Sequence, residues 1–223
     1  MNKLPGNSNL HQYAYSAYHG CPVQTQHGVL VKEYLDAIWS TLWQSIIKHP
    51  RTFAIRFDLH LRHSNDENVD AVFSDVISKF FSALNKEIST DLALRHCRGV
   101  RVHETDLRYI WTKERSTAPQ PHYHVVIFVN NDTYNVLGSP SPNGVSENMA
   151  TRIISAWASA LNLEERDTKG LVHFPENPTY RINHHQPGFD EAFKAVFYRV
   201  SYFAKAATKE YGNRTRSFGC SRK

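Results

Sequence analysis

Four groups of residues in this 223-residue chain have types and spacings that can do chemistry. His122-Tyr123-His124 opens the most strand-like stretch of the sequence, HYHVVIFV. Residues two apart on a strand share a face, so the two imidazoles stand side by side as half of a divalent-metal site. With 13 histidines present, one such spacing is expected by chance, and two hydrogen-bonded histidines are the plain alternative. Glu104 lies on the neighbouring predicted strand, where a carboxylate can complete the metal's inner shell or orient a ligand. The alternative there is a solvated side chain. Tyr198, Tyr202, Lys205 and Lys209 fall at i, i+4, i+7 and i+11 of a predicted helix. They form one stripe directed away from that helix's apolar stripe. Amphipathicity accounts for the lysines but not for two tyrosines among them. A tyrosine with a lysine one turn on is a nucleophile beside a cation that can stabilise a phenolate or a developing phosphate charge. The fourth group is the segment from Lys205 to Lys223. Its Lys205, Lys209, Arg214, Arg216, Arg222 and Lys223 are set against a single acid, Glu210, with Tyr211 and Phe218 interleaved. That composition suits phosphate contact and base stacking, and a solubilising terminus is the alternative.

The elements that must position these groups follow from hydrophobic periodicity. Residues 1–27 are polar and punctuated by Gly and Pro, and read as a loop-like arm with tyrosines at 13, 15 and 18. From Gly28, apolar residues at helical spacing (Leu30, Leu35, Ile38, Leu42, Ile46) predict a helix ending near His49-Pro50. Arg51–Leu61 alternates apolar and polar residues, which predicts a half-buried strand carrying Asp58 and His60 on its polar side. A turn at 63–67 leads into a predicted helix marked by Val69, Val72, Phe73, Val76, Phe80, Leu84 and Ile88. Gly99–Lys113 reads as one long strand, followed by a turn and the His122 strand, an antiparallel pair. Residues 130–146 read as a surface loop and Ile153–Leu161 as a short helix. Residues 171–174 and 179–183 read as a further strand or a hairpin, interrupted by Pro175 and Pro178, before a last helix over about 190–209. The order is helix, strand, helix, strand, strand, helix, strand, helix, which specifies an α+β domain built on an antiparallel sheet. The chain therefore divides into a polar arm (1–27), one α+β domain (28–209) and a basic C-terminal tail (210–223).

Composition narrows the classes. Hydrophobic residues make up 41% and charged residues 21%, enough apolar material for a core and incompatible with wholesale disorder. No run approaches the 18 or so apolar residues of a membrane span, and the N-terminus lacks the apolar stretch of a secretory signal. Three widely spaced cysteines form neither a metal motif nor a disulfide framework, which points to the reducing cytoplasm. A net charge of +5 favours a polyanionic partner. The sequence contains no GxxxxGK[ST] loop, GxSxG, HExxH or GxGxxG, so motor, serine-hydrolase, zinc-protease and dinucleotide readings lack motifs.

Taken together, RFDLHL on the first strand, Glu104 on a later one, Pro121-His122-Tyr123-His124 opening an apolar strand and Tyr202-Phe-Ala-Lys205 on the last helix resemble the HUH endonucleases, the rolling-circle replication initiators and relaxases. The nearest resemblance is to the inovirus (filamentous-phage) gene II initiator-like family, which includes the YagK/YfjJ C-terminal domain proteins. It spans about residues 31–222. It implies a ferredoxin- or RRM-like antiparallel palm flanked by helices, with His122, His124 and Glu104 holding Mg²⁺ or Mn²⁺. It implies Tyr202 as nucleophile, Lys205 as its lysine and Tyr198 as a second tyrosine. Ser201 stands where two-tyrosine members often carry lysine. Asp58 and His60 match the family's first motif. The implied activity is site-specific nicking and rejoining of single-stranded DNA through a 5′-phosphotyrosine, which starts rolling-circle replication of a phage or plasmid-like element. Lys209, Arg214, Arg216, Arg222 and Lys223 would contact the DNA. The implied partners are single-stranded or supercoiled origin DNA and a host helicase and polymerase in the bacterial cytoplasm, with no membrane. The alternatives are a non-catalytic RRM-like nucleic-acid-binding regulator and a transposase or relaxase of the same superfamily.

Overall fold

The fold is organised by β8 (His122–Asn130), in which every residue from Tyr123 to Val129 is buried. A strand so apolar on both sides must be covered on both sides. The computed structural model describes residues 2–62, 75–115, 121–139, 147–207, 209 and 216–221. Within them, β6 (Arg51–His60) and β7 (Arg108–Glu114) flank β8, all antiparallel, and the sheet runs β10–β6–β8–β7–β11. Its outer strands are β10 (Thr179–Asn183) and β11 (Phe218–Cys220), while β9 (Val172–His173) pairs with the far end of β6. Four helices are described: α1 (Lys32–Lys48), α2 (Val76–Cys97), α3 (Met149–Leu161) and α4 (Phe189–Ser201). The α+β class and the antiparallel sheet expected from the sequence are observed, with strands in the arm and at the C-terminal end added to the expected order. No described helix is long and apolar enough to cross a membrane.

Strand parity decides which helix covers which face. The odd residues of β6 and β8, from Phe53 to Leu59 and from Tyr123 to Val129, pack with α2 and α3. The even face supplies Ala54, Val126, Phe128 and Ile110 to a second core closed by α1 and α4. The expectation of a half-buried β6 is therefore corrected: both of its faces are covered. The polar residues Arg56 and Asp58 sit under that second layer rather than in solvent.

The arm is not the loop expected from its composition. It forms β1 (Lys3–Leu4), β2 (Asn7–Tyr13) and the short hairpin β3 (Ala17–Tyr18) and β4 (Cys21–Pro22), and β2 pairs with β5 (Leu30–Val31). Its tyrosines divide: Tyr18 is buried and stacks on Phe197 of α4 at 6.0 Å, whereas Tyr15 is exposed. The segments at 171–174 and 179–183 do become strands, but each pairs with β6 rather than with the other. Val69, Val72 and Phe73 and the turn at 63–67 lie outside the described residues.

Part of the basic C-terminal tail is a strand. Gly219 of β11 pairs with Trp111 of β7 and lies under its indole, so a Cβ there would stand 2.7 Å from ring atoms. Gly219→Ala is expected to force β11 off the sheet and to cost about 1–3 kcal/mol by overpacking. Urea unfolding, followed by the Trp111 fluorescence that this strand covers, would measure it; wild-type stability would mean that the indole simply moves aside.

Candidate active site

The site lies at one end of the even face, where three strands bring their polar ends together. Pairing sets Asp58 and Thr112 opposite His124, and His60 and Glu114 opposite His122. Directly paired residues point the same way, so Asp58, His60, Glu114, His122 and His124 share one face. Trp157 of α3 donates its indole N–H to the His60 carbonyl at 3.0 Å and pins the end of β6. One donor atom from each of Glu114, His122 and His124 lies within 4.8 Å of the others.

The third element arrives from α4. This helix was expected to run to Lys209, but it ends at Ser201 and a 3₁₀ turn, Tyr202–Ala204, follows. The cause is an exchange with the arm. The Ser201 hydroxyl donates to the Tyr198 carbonyl at 2.7 Å and accepts the Gln24 backbone N–H at 3.0 Å. The Gln24 side chain donates to the carbonyls of Tyr198 and Arg199. Helix-terminal carbonyls are thereby satisfied from outside the helix. Lys205 then pairs with Leu30 in an isolated bridge, and the Ala206 N–H bonds the Val29 carbonyl.

This turn redirects the stripe. Lys205 and Lys209 point into the protein rather than into solvent, and both reach Glu114. Lys205 Nζ is 3.1 Å from Oε2, and Lys209 Nζ is 3.0 Å from Oε1. The Lys209 side chain is fully covered, which corrects its assignment as a DNA contact: its charge is spent on a buried carboxylate. Lys205 also donates to the Tyr202 hydroxyl at 2.6 Å, and that hydroxyl lies 3.4 Å from Glu114 Oε2. The Tyr202 ring lies edge-on to His124 at 5.5 Å and to His27 of the arm at 5.1 Å. Tyr198, one turn earlier, is exposed, and its hydroxyl meets only Gln26 at 3.4 Å among the described residues.

The carboxylate near the histidines is thus Glu114, not Glu104. Glu104 is exposed in a non-strand segment before β7, and its carbonyl accepts from the Asn130 side chain at the opposite end of β8 from His122. The predicted long strand begins only at Arg108. Positions 104 and 114 have the same parity, so facing alone could not separate them. The pairing register does, because the residue that closes β7 must sit opposite the residue that opens β8.

The chain belongs to the YagK/YfjJ C-terminal domain family. The family model matches residues 15–221, which include every element of the site. The chain is similar to the uncharacterized protein YagK of Escherichia coli (strain K12), 34% identical over 203 residues, covering 89% of this chain and 96% of YagK. It is also similar to the uncharacterized protein YfjJ of the same strain, 32% identical over 209 residues, covering 89% of this chain and 98% of YfjJ. No solved structure matches the chain.

In this family member the electrostatics of the two histidines and Glu114 differ from group to group. Burial, with the neighbouring His124 and His60, pushes His122 down to about 4, so it is a neutral imidazole near pH 7 and a competent ligand. Burial disfavours charge on His124, but its bonds to Asp58 and Glu114 raise its pKa above the ordinary value. Its Nδ1 donates to Asp58 Oδ1 at 2.5 Å, while Arg56 holds the other Asp58 oxygen at 2.7 Å. That leaves Nε2 directed at Glu114, 3.4 Å away. A carboxylate that fixes the tautomer of a ligating histidine is a recurrent device at metal centres, and it gives Asp58 a role the sequence left open. His60 stacks on His122 at 5.5 Å. The donor set therefore fits a divalent cation. Two features countervail: the raised pKa of His124 favours an imidazolium, which cannot ligate, and Glu114 already holds two ammonium groups on one carboxylate.

Arg216 is exposed. Arg214, Arg222 and Lys223 lie outside the described residues.

Asp58→Asn tests the orienting role. It is expected to weaken Mn²⁺ binding about 10–100-fold, the usual cost of losing such a partner, as read by isothermal titration. Unchanged affinity would leave Asp58 as a packing residue only.

Proposed function

We propose that this chain is an HUH-type DNA strand transferase, with Tyr202 as nucleophile and a divalent cation, Mg²⁺ or Mn²⁺, held by His122, His124 and Glu114. The observation that carries the reading is the Lys205 ammonium 2.6 Å from the Tyr202 hydroxyl, at the rim of that triad. An ammonium at that position can stabilise negative charge that develops on the attacking oxygen or on the phosphate in the transition state. In the reaction, the Tyr202 oxygen forms a bond to phosphorus and the bond from phosphorus to O3′ breaks. The phenol proton leaves to water, and O3′ gains one from water. The products are a 5′-phosphotyrosine and a free 3′-OH, and the reverse reaction rejoins the strand without ATP. The cation, when bound, neutralises and orients the phosphate. The antiparallel sheet with its histidines on a central strand supports a ferredoxin- or RRM-like HUH palm. Rolling-circle initiation of a phage or plasmid-like element in a bacterial cytoplasm is the process this chemistry serves. Origin DNA would be the substrate, with host helicase and polymerase as partners.

The test is a denaturing gel for a protein–DNA adduct on single-stranded oligonucleotides and supercoiled plasmid carrying a cognate origin, with Mn²⁺. An EDTA-sensitive adduct is expected. Its absence on the cognate origin would favour the second reading, a DNA-binding regulator without catalysis. One observation favours that reading. Lys205 and Lys209 already supply Glu114 with the two positive charges a divalent ion would bring.

A further inference from the structure

Away from this site, the β3–β4 hairpin, α1 and the start of α4 enclose a cleft of about 320 Å³. The two-residue turn His19-Gly20 closes the hairpin with both residues at positive φ, 46° and 76°, and sets His19 against Trp39 at 4.8 Å. Trp39 and Trp43, one turn apart on α1, lie 6.1 Å from each other, and Phe193 lies 5.1 and 5.0 Å from them. Both indoles are half-buried, whereas Trp111 and Trp157 are buried in the other core. Asp190 and Lys194 complete the lining. They stand four apart on α4 in the order that favours an ion pair, yet no ion pair joins them among the described residues. The cleft thus offers aromatic walls and, besides the His19 imidazole, one carboxylate and one ammonium group.

We propose that this cleft binds a single guanine base of a DNA strand. Indole faces stack on any base, so the polar lining sets the choice. A carboxylate has two acceptor oxygens, which match the N1–H and N2–H of guanine, and an ammonium donates to guanine O6 or N7. Thymine has no exocyclic amine to offer Asp190. A quaternary ammonium ligand would suit an aromatic cage with an acid, but Lys194 opposes it. Asp190 and Tyr202 are separated by the length of α4, about 18 Å, or about five stacked nucleotides. The strand held at Tyr202 can therefore reach the cleft. The proposal rests on the DNA-processing reading only for the strand that delivers the base.

Tryptophan fluorescence tests it in EDTA, with Tyr202→Phe as background so that no chemistry contributes. The probes are nine-residue oligothymidylates with one central guanine, adenine or cytosine, the all-thymidine strand, and choline. Quenching and tighter binding with the guanine probe are expected. Trp39→Ala or Trp43→Ala should lower its affinity about five- to hundredfold. Asp190→Asn, at an exposed position that does not threaten folding, should abolish the guanine preference. Equal affinity for all four strands would overturn the proposal. So would quenching that survives both tryptophan variants, or saturable quenching by choline. Guanine-selective binding by a protein that never nicks would uphold the cleft and sink the nuclease reading. Nicking with no guanine selectivity would do the reverse.

Discussion

Tyr202→Phe is expected to abolish the covalent protein–DNA product, and Tyr198→Phe to leave the first nick intact. The two tyrosines are one turn apart, and in an uninterrupted helix they would be near-equivalent. The break after Ser201 separates them. Tyr202 turns toward Glu114 and His124 and receives the Lys205 ammonium at 2.6 Å, whereas Tyr198 stays on the outer face with Gln26. Only one hydroxyl is removed in Tyr202→Phe, and the ring contacts to His124 and His27 remain, so Mn²⁺ and DNA binding should persist. The readout is the shifted band of a labelled oligonucleotide on a denaturing gel, with binding measured separately by fluorescence anisotropy. Normal adduct in Tyr202→Phe and none in Tyr198→Phe would reverse the assignment. Normal adduct in both singles and none in the double variant would make the tyrosines interchangeable.

What the sequence made legible was local, and what it concealed was relational. The His122-x-His124 spacing falls within one strand, so strand geometry alone put both imidazoles on one face, whereas Tyr202 and Lys205 meet through a 3₁₀ turn and not through the helix expected for them. The antiparallel core was legible from the period-two run of β6 and the apolar run of β8. Glu114 was concealed because its place depends on the pairing of two strands. Glu114 is the acid that closes β7, and only the register sets it opposite His122. The end of α4 was concealed because its cause is Gln24, 177 residues from Ser201 in sequence. Nothing in Tyr-Phe-Ala-Lys-Ala-Ala resists a helix, so local propensity continues the helix where the tertiary contact ends it. The same contact turned Lys209 from an expected phosphate ligand into a buried counter-ion.

That counter-ion arrangement gives the largest stability effect expected here, at Glu114. Glu114→Gln keeps the volume and removes the charge that Lys205 and Lys209 share. Breaking a buried ion pair from one side typically costs about 3–5 kcal/mol, because the remaining charge is stranded. Mn²⁺ affinity should fall as well, by at least the 10–100-fold seen when a mere supporting group is lost. The pH dependence has a definite sign. Burial alone would raise the Glu114 carboxyl, but the His124 bond and the Lys209 charge more than reverse this and hold it well below the usual carboxylate range. A depressed acid stabilises the fold fully above its unfolded pKa, near 4.3, and loses that contribution as pH falls through the folded value. The gap between wild type and Glu114→Gln should therefore be constant from about pH 6 to about 5 and shrink below about 4, and it should also narrow above about 6.5 as His124, which Glu114 helps hold protonated, loses its proton. Urea denaturation across that range measures it. A gap that widened below pH 5 would mean that Glu114 is not the group being titrated there. Adding Lys209→Met to Glu114→Gln separates the two duties of the carboxylate. An apolar side chain in place of a stranded ammonium should recover part of the stability, while Mn²⁺ binding stays weakened, because no lysine substitution restores the carboxylate charge. Recovery of metal binding in the double variant would remove Glu114 from the ligand set and leave it as the anchor of the two lysines alone.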